Sequence, residues 1–422
     1  VHVEVVATIK RNMFYQALAQ IGGKGLMFFV YMLLARILGP ALYGVFGYTL
    51  SSVQIISGVL FDLGLLLIVT RELSVNNDSI FRPALWLKAG GCIVGGVLFL
   101  LLIPALKFPL ILAISLVVWA MLNSFTDFYF CVFRAKNMMH GEAATMLSQR
   151  ALLLGILIAL YIGYLELDSE AHVLYASGAA FCCSALFGLV VAVSLTRLML
   201  PTFPALKGAR IGVDEVKALA VKALPLVGVS FFGFIYYKID IVLLGLLSTN
   251  EQVGFYNASY RIVEASLLIP MIMTNTMYPR LSLLWINDFQ GFCRIIQNAI
   301  AALFLISLLA WVGIATLSTP IMVTLFGTEF EPSAGILSLL AGTIIMVYPG
   351  YLMTQSLVIL GKQRGYLVVT ISAAVINVVL NCLFIPLWQA KGAAVATIIT
   401  EAVVTCIAGF IIIRHMKARR RA

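Results

Sequence analysis

Residues 295–317 read IIQNAIAALFLISLLAWVGIATL, a run of 23 residues without one charged side chain. Coiled as a helix at about 1.5 Å per residue it is about 35 Å long, enough to cross a bilayer core about 30 Å thick. Its apolar residues are continuous rather than alternating. Its backbone groups must therefore be satisfied within a helix and not along a barrel wall.

Eleven further stretches of the same kind lie around it, at 13–35, 42–67, 84–104, 110–131, 147–165, 172–196, 219–247, 253–278, 334–359, 366–387 and 392–413. The gaps between them are too short for a soluble domain. With 62% hydrophobic and 11% charged residues among 422, the chain carries more apolar surface than a water-soluble globule can hide. The expected fold is an all-α polytopic membrane protein of about twelve transmembrane helices.

Assigning alternate loops to opposite sides collects Lys10, Arg11, Arg71, Arg82, Arg134, Lys136, Lys207, Arg210, Arg280, Lys362 and Arg364 on one side. The tail Arg414, Lys417, Arg419, Arg420 and Arg421 joins them. The opposite loops hold Arg36, Lys107 and Lys391 and gather Glu166, Asp168, Glu170, Glu251, Glu329 and Glu331. This positive-inside pattern places both termini in the cytoplasm. It also accounts for the net charge of +10 through anionic inner-leaflet lipids, so no nucleic-acid partner is expected. No signal peptide is expected ahead of the first span, which should therefore remain in the mature protein.

Tyr43-Gly44-Val45-Phe46 opens the second span and Val253-Gly254-Phe255-Tyr256 opens the eighth, 210 positions later. Arg71-Glu72-Leu73 is echoed by Pro279-Arg280-Leu281. The recurrence favours two parallel six-helix lobes, 1–200 and 219–413, joined by a polar cytoplasmic linker at 201–218 and followed by a basic tail at 414–422. Substrate would then lie in a central cavity between lobes. Gly22, Gly23, Gly25, Pro225, Pro270 and Pro349 are the helix breakers that could provide mobility.

Several charged residues fall where a spanning helix should be apolar, at a cost of about 2.5–3.5 kcal/mol each near the bilayer centre. Asn12, Gln16, Gln20 and Lys24 recur every fourth residue and share one helix face. Lys24 either faces a watery cleft or snorkels as a structural lysine. On the eighth span Asn257, Arg261 and Glu264 recur at helical spacing, and Arg261 with Glu264 reads either as a substrate contact or as a self-satisfied pair. Lys238 and Asp240 are about 200° apart on a regular helix, which keeps them from facing one cleft. Lys238 either lines a cavity or snorkels to the outer interface. Asp62, Asp240, Glu264 and Glu401 are the candidates to carry a coupling ion, while Lys24, Gln20, Lys238, Asn257 and Arg261 are the candidates to bind substrate. Asn377 and Asn381 read as helix-to-helix glue, and Asp127 near the inner end of its span reads as solvated.

Neither a phosphate-gripping Walker loop nor a carboxylate-rich aqueous loop is present, so an integral-membrane enzyme is the weak alternative. The four histidines and seven cysteines show no metal-like spacing, and no cofactor, metal or disulfide is expected.

The order of motifs is recognisable. Leu33-Leu34-Ala35-Arg36-Ile37-Leu38-Gly39-Pro40, Asp62-Leu63-Gly64, Tyr237-Lys238-Ile239-Asp240, Asn377-Val378-Val379-Leu380-Asn381 and Gly392-Ala393-Ala394-Val395-Ala396-Thr397 together resemble polysaccharide-export flippases of the Wzx type, over essentially the whole chain. These are similar to MATE drug exporters and MurJ lipid II flippases within the MOP superfamily, although the chain stops at twelve spans where MurJ has two more. The resemblance implies export of an undecaprenyl-pyrophosphate-linked oligosaccharide across a bacterial inner membrane, by alternating access coupled to protons or sodium. It places the chain beside a polysaccharide polymerase and glycosyltransferases. A MATE-like cation and drug antiporter is the nearest rival.

Overall fold

The computed structural model describes residues 2–163, 170–201 and 212–421. Glu166, Asp168, Lys207, Arg210 and most of the 201–218 connection lie outside the described residues, and so do the side chains of residues 2–10, 170 and 420–421.

The described chain is helical throughout, with no strand. It runs α1 (His2–Ile56), a π turn (Ser57–Phe61), α2 (Leu65–Ser74), α3 (Phe81–Leu106), α4 (Leu110–Ala135), α5 (Met139–Gly163), α6 (Glu170–Met199) and α7 (Val213–Leu247). Then follow α8 (Asn250–Ser266), α9 (Leu268–Asn287), α10 (Phe289–Thr316), α11 (Ser318–Phe326), α12 (Ser333–Ile359) and α13 (Gln363–Arg421). Among the described residues nine helices are long and apolar enough to cross a membrane. Two of these, α1 and α13, are each two rods joined at a non-helical residue, Gly39 and Gln389. With α8 and α9 together covering 253–278, each of the twelve expected spans is met by helix among the described residues.

The breaks have local causes. Gly39 sits at φ 64°, where a side chain is disfavoured, and Pro40 then starts the next rod with its φ already helical. At Gln389 (φ 50°) the chain folds back so closely that a Cβ on Gly392 would stand 2.2 Å from the Phe384 carbonyl oxygen. Thr249 and Asp288 cap α8 and α10, their side-chain oxygens accepting from the N–H groups of Gln252 and Gly291.

Two expected spans differ from expectation. The span at 42–67 is not continuous: it passes into the π turn and then through Leu63 (φ 47°) and Gly64 (φ 65°), both left-handed, before α2 resumes. The span at 253–278 is divided at Leu267, with Pro270 in the first turn of α9 where its missing N–H costs least. Hydropathy alone does not register either event, because both interruptions lie within predominantly apolar sequence.

The helices form two compact units. One comprises residues 1–38 and 49–234, the other 39–48 and 235–422. In the first, α2, α3, α4, α6 and the beginning of α7 share a buried core of Leu65, Val69, Leu73, Phe81, Phe128, Val132 and Leu219. The α1 rod before Gly39 lies against α5, with Gly22 facing Leu147 and Gly23 facing Met146 and Arg150. In the second, α12 is the central helix, packed by α8, α9, α10, α11 and α13.

Within the second unit, residues 40–48 cross α8 with backbones touching. A Cβ on Gly44 would lie 1.7 Å from the Asn250 carbonyl oxygen, and one on Gly254 would lie 1.9 Å from that of Pro40. The contact is reciprocal, since Pro40 and Asn250 are 210 positions apart, as are Gly44 and Gly254. Small residues four apart that let membrane helices approach this closely gain dispersion contacts that lipid does not offer.

Candidate functional site

The second unit gathers most of the expected polar residues on three helices. α7 presents Tyr236, Tyr237, Lys238 and Asp240; α8 presents Tyr256, Asn257, Tyr260, Arg261 and Glu264; the last rod of α13 presents Thr397 and Glu401. Lys238, Asp240, Asn257 and Arg261 are all buried.

Each carboxylate in this group receives a tyrosine hydroxyl. The Tyr236 hydroxyl donates to Glu401 and that of Tyr256 donates to Asp240. The Tyr237 hydroxyl donates to Glu264 at 3.0 Å, whose other oxygen takes Arg261 Nη1 at 2.7 Å. Asp240 also accepts the Ile241 N–H at 2.8 Å, and the Tyr256 hydroxyl lies 3.1 Å from that of Thr397. Tyr260 stacks against Tyr256 with ring centroids 6.0 Å apart and meets Tyr237 edge-on at 6.3 Å. The sequence reading singled out the carboxylates and missed the tyrosines. Their signal was available, since Tyr236 and Tyr237 adjoin Lys238 and Tyr256 follows Gly254 in the repeat.

Lys238 differs from the other charges. Its side chain is 6% exposed and its ammonium stands 4.8 Å from the centre of the Tyr237 ring. Among the described residues no carboxylate comes within 4.0 Å of it. Glu264 and Asp240 attract it at longer range and Arg261 repels it. Snorkelling, one of the two readings left open by the sequence, therefore does not describe Lys238. It is held inside the unit, as is Asp240 two residues on. Glu264 is thus in contact with Arg261 and not with Lys238, while Asp240 and Glu401 are each held by a neutral hydroxyl.

Asn257 is 1% exposed, lies against Gly47, and leaves its carbonyl oxygen without a partner among the described residues. Asn381 donates to the Asn377 carbonyl and side-chain oxygens along a single helix, while its own side-chain oxygen has no partner among the described residues.

Gln20, Lys24 and Asp62 belong to the first unit. Lys24 is exposed and Gln20 half-buried, on the rod whose Asn12 and Gln16 side-chain oxygens have no partner among the described residues. Asp62 occupies the break after the π turn, where it accepts Lys88 Nζ at 2.8 Å and the Ser124 hydroxyl at 2.8 Å. Lys88 is fully buried and also donates to the Phe61 carbonyl at 3.2 Å, an oxygen at the edge of the interrupted helix. The sequence reading missed Lys88, although it is a charged residue inside the span at 84–104. Arg134 makes a bidentate pair with fully buried Glu142, at 2.6 and 2.9 Å.

A model of the polysaccharide biosynthesis protein family matches residues 9–285, well over half of the chain. The chain belongs to that family. Among curated proteins it is 30% identical over 180 residues to a probable low-salt glycan biosynthesis flippase, Agl15, of Haloferax volcanii. The match covers 42% of this chain and 38% of that protein, so it spans well under half of the relative's length. Two solved structures share the fold. An inward-facing multidrug resistance MATE family transporter of the MOP superfamily superposes with TM-score 0.78 at 13% identity, over 96% of both chains. The lipid II flippase MurJ in an inward closed conformation gives 0.74 at 11% identity, over 95% of this chain and 87% of that one. The chain therefore shares the fold of these two transporters, and it is a multi-pass membrane protein.

Proposed function

We propose that this family member is a flippase that moves a lipid-linked oligosaccharide, carried on undecaprenyl pyrophosphate, from the cytoplasmic to the outer leaflet of the cell membrane. The observation that carries the reading is Lys238. A buried ammonium with no carboxylate in contact is costly unless an anion arrives to meet it, and a pyrophosphate is such an anion. Arg261 on α8, held in place by Glu264, offers planar donors suited to phosphate oxygens. The tyrosines around them supply hydroxyls and ring faces on which sugars can rest. Glycan-flippase similarity in sequence supports the same reading, whereas MATE similarity rests on fold.

Transport would proceed by alternating access, with 1–200 and 219–413 as the moving halves and 201–218 as their joint. Asp240, Glu264, Glu401 and Asp62 are the groups proposed to exchange a proton or sodium ion. Gln20 and Lys24 are proposed to contact the substrate from the first half, and Asn257 from the second. Both termini would be cytoplasmic, as the loop charges require.

The test is reconstitution in liposomes with a polyprenyl-pyrophosphate-linked oligosaccharide, followed by measurement of its arrival in the opposite leaflet. Protein-dependent translocation is expected. Failure to move it, together with exchange of a drug cation for protons or sodium, would overturn the reading in favour of the antiporter.

A further inference from the structure

A second basic site lies in the 39–48 and 235–422 unit, away from the tyrosine-carboxylate group. The start of α10 and the end of α13 form an open cleft of about 600 Å³ lined by Phe289, Gln290, Cys293, Arg294, Gln297 and Arg419. Clefts that hold small ligands span roughly 300–1,000 Å³.

Arg419 is already set in place. Its Nη1 donates to the Trp285 carbonyl at 2.6 Å, and its guanidinium lies over the Trp285 ring at 4.1 Å and near that of Phe289 at 5.4 Å. A guanidinium has five N–H donors, so most remain for a ligand. Among the described residues Arg294 is exposed and makes no hydrogen bond or ion pair, and no carboxylate lies within 4.0 Å of Arg419. Asp288 is the acidic neighbour, and one of its oxygens is taken by the Gly291 N–H at 2.8 Å. His415 packs against Trp285 with centroids 5.5 Å apart and feels the positive charges of both Lys362 and Arg419. The local field is positive, and two glutamine amides add neutral hydrogen-bonding groups.

The site also has a depth in the membrane. Arg294 directly precedes the charge-free run at 295–317, and Trp285 has the amphipathic ring that favours the head-group layer. Arg419 belongs to the basic tail that the loop charges put in the cytoplasm. Basic pockets between helices on that side suit phosphate head groups.

We infer that this cavity is a binding site for the phosphate of an anionic lipid in the cytoplasmic leaflet, with Arg294 and Arg419 as its two ligands. Gln290 and Gln297 bind the glycerol or second phosphate beyond it. The site does not depend on the proposed transport activity, and its occupancy is measurable without it. Two lipids carry the required chemistry: a membrane phospholipid such as phosphatidylglycerol, and a polyprenyl pyrophosphate.

The experiment uses the full chain in neutral detergent, titrated with phosphatidylglycerol or phosphatidylcholine and read by native mass spectrometry. Phosphatidylglycerol should bind at least tenfold more tightly than phosphatidylcholine. Arg294→Gln, at an exposed residue whose loss should not disturb folding, should weaken it about tenfold, as expected for one charge-assisted contact. Arg414→Gln, outside the cavity, should bind as the native chain does. Arg419→Lys keeps the charge but not the fork, and should fall between native and Arg294→Gln. Farnesyl pyrophosphate competing at the same residues would identify a polyprenyl lipid as the occupant, and phosphatidylglycerol resisting it would identify the phospholipid; either result sustains the site. Equal binding by native and Arg294→Gln chains would overturn it, as would a loss in Arg414→Gln matching that in Arg294→Gln, which would mean diffuse attraction to the tail.

Discussion

Replacing Lys238 with methionine keeps the side chain's length and apolar stem while deleting its charge. Stability and transport should then move in opposite directions. Burying a charge at this depth costs about 2.5–3.5 kcal/mol on insertion scales. Glu264 and Asp240 attract the ammonium from a distance and Arg261 repels it, and among the described residues no carboxylate touches it. The variant should therefore unfold at the same temperature or higher in detergent. Arg261 remains paired with Glu264 at 2.7 Å and so is not left exposed to the loss. For the substrate, one charge-assisted hydrogen bond is worth about 1.5–3 kcal/mol, which at about 1.4 kcal/mol per tenfold corresponds to roughly 10- to 150-fold. Translocation of lipid-linked oligosaccharide in liposomes at limiting substrate should fall by that factor, with membrane insertion unchanged. A variant destabilised by more than about 1 kcal/mol would make Lys238 a structural lysine, because deleting an unmet buried charge should not cost stability. Full transport activity in a stable variant would remove it from the substrate path.

Two other perturbations probe the frame around the sites. Lys88→Met alone should destabilise the chain by about 3–5 kcal/mol, because Asp62 is left without its buried partner, whereas Lys88→Met with Asp62→Asn should recover much of that loss in a thermal melt; equal melting of single and double variants would refute the pairing argument. Gly254→Leu should abolish folded protein on size-exclusion chromatography, since even its Cβ would stand 1.9 Å from the Pro40 carbonyl oxygen, while Gly313→Leu, with nothing within 4 Å, should elute as the native chain.

The twelve rods were legible because a spanning helix needs a long apolar run, and nothing else in the chain mimics one. Their interruptions were not. The π turn at 57–61 and the division at Leu267 lie in apolar sequence, so hydropathy passes over both. Asp62-Leu63-Gly64 was recognisable as a motif, but that its carboxylate would be met by Lys88, 26 residues on, depends on how α3 packs. The same holds for the three tyrosine-carboxylate pairs, where Tyr236 and Glu401 are 165 residues apart. Helical spacing reports which residues share a face of one helix. It says nothing of what the facing helix brings.

That limit bears most directly on Lys238. From spacing alone Lys238 and Asp240 point about 200° apart, which would send one of them toward lipid. Both are buried because α7 has polar neighbours on more than one side: α8 brings Tyr256 to Asp240 and Glu264 toward Lys238, and the last rod of α13 brings Thr397 to Tyr256 and Glu401 to Tyr236. A helix solvated by protein on two faces can carry charges of both signs without exposing either to hydrocarbon. Asp240 and Glu401 are met by neutral hydroxyls and Glu264 by Tyr237 and Arg261, so among the described residues the ammonium is the cation of this group with no carboxylate in contact. On the proposed reading, the ammonium is where an incoming anion would be met, and the hydroxyl-held acids Asp240 and Glu401 are where a coupling cation would be.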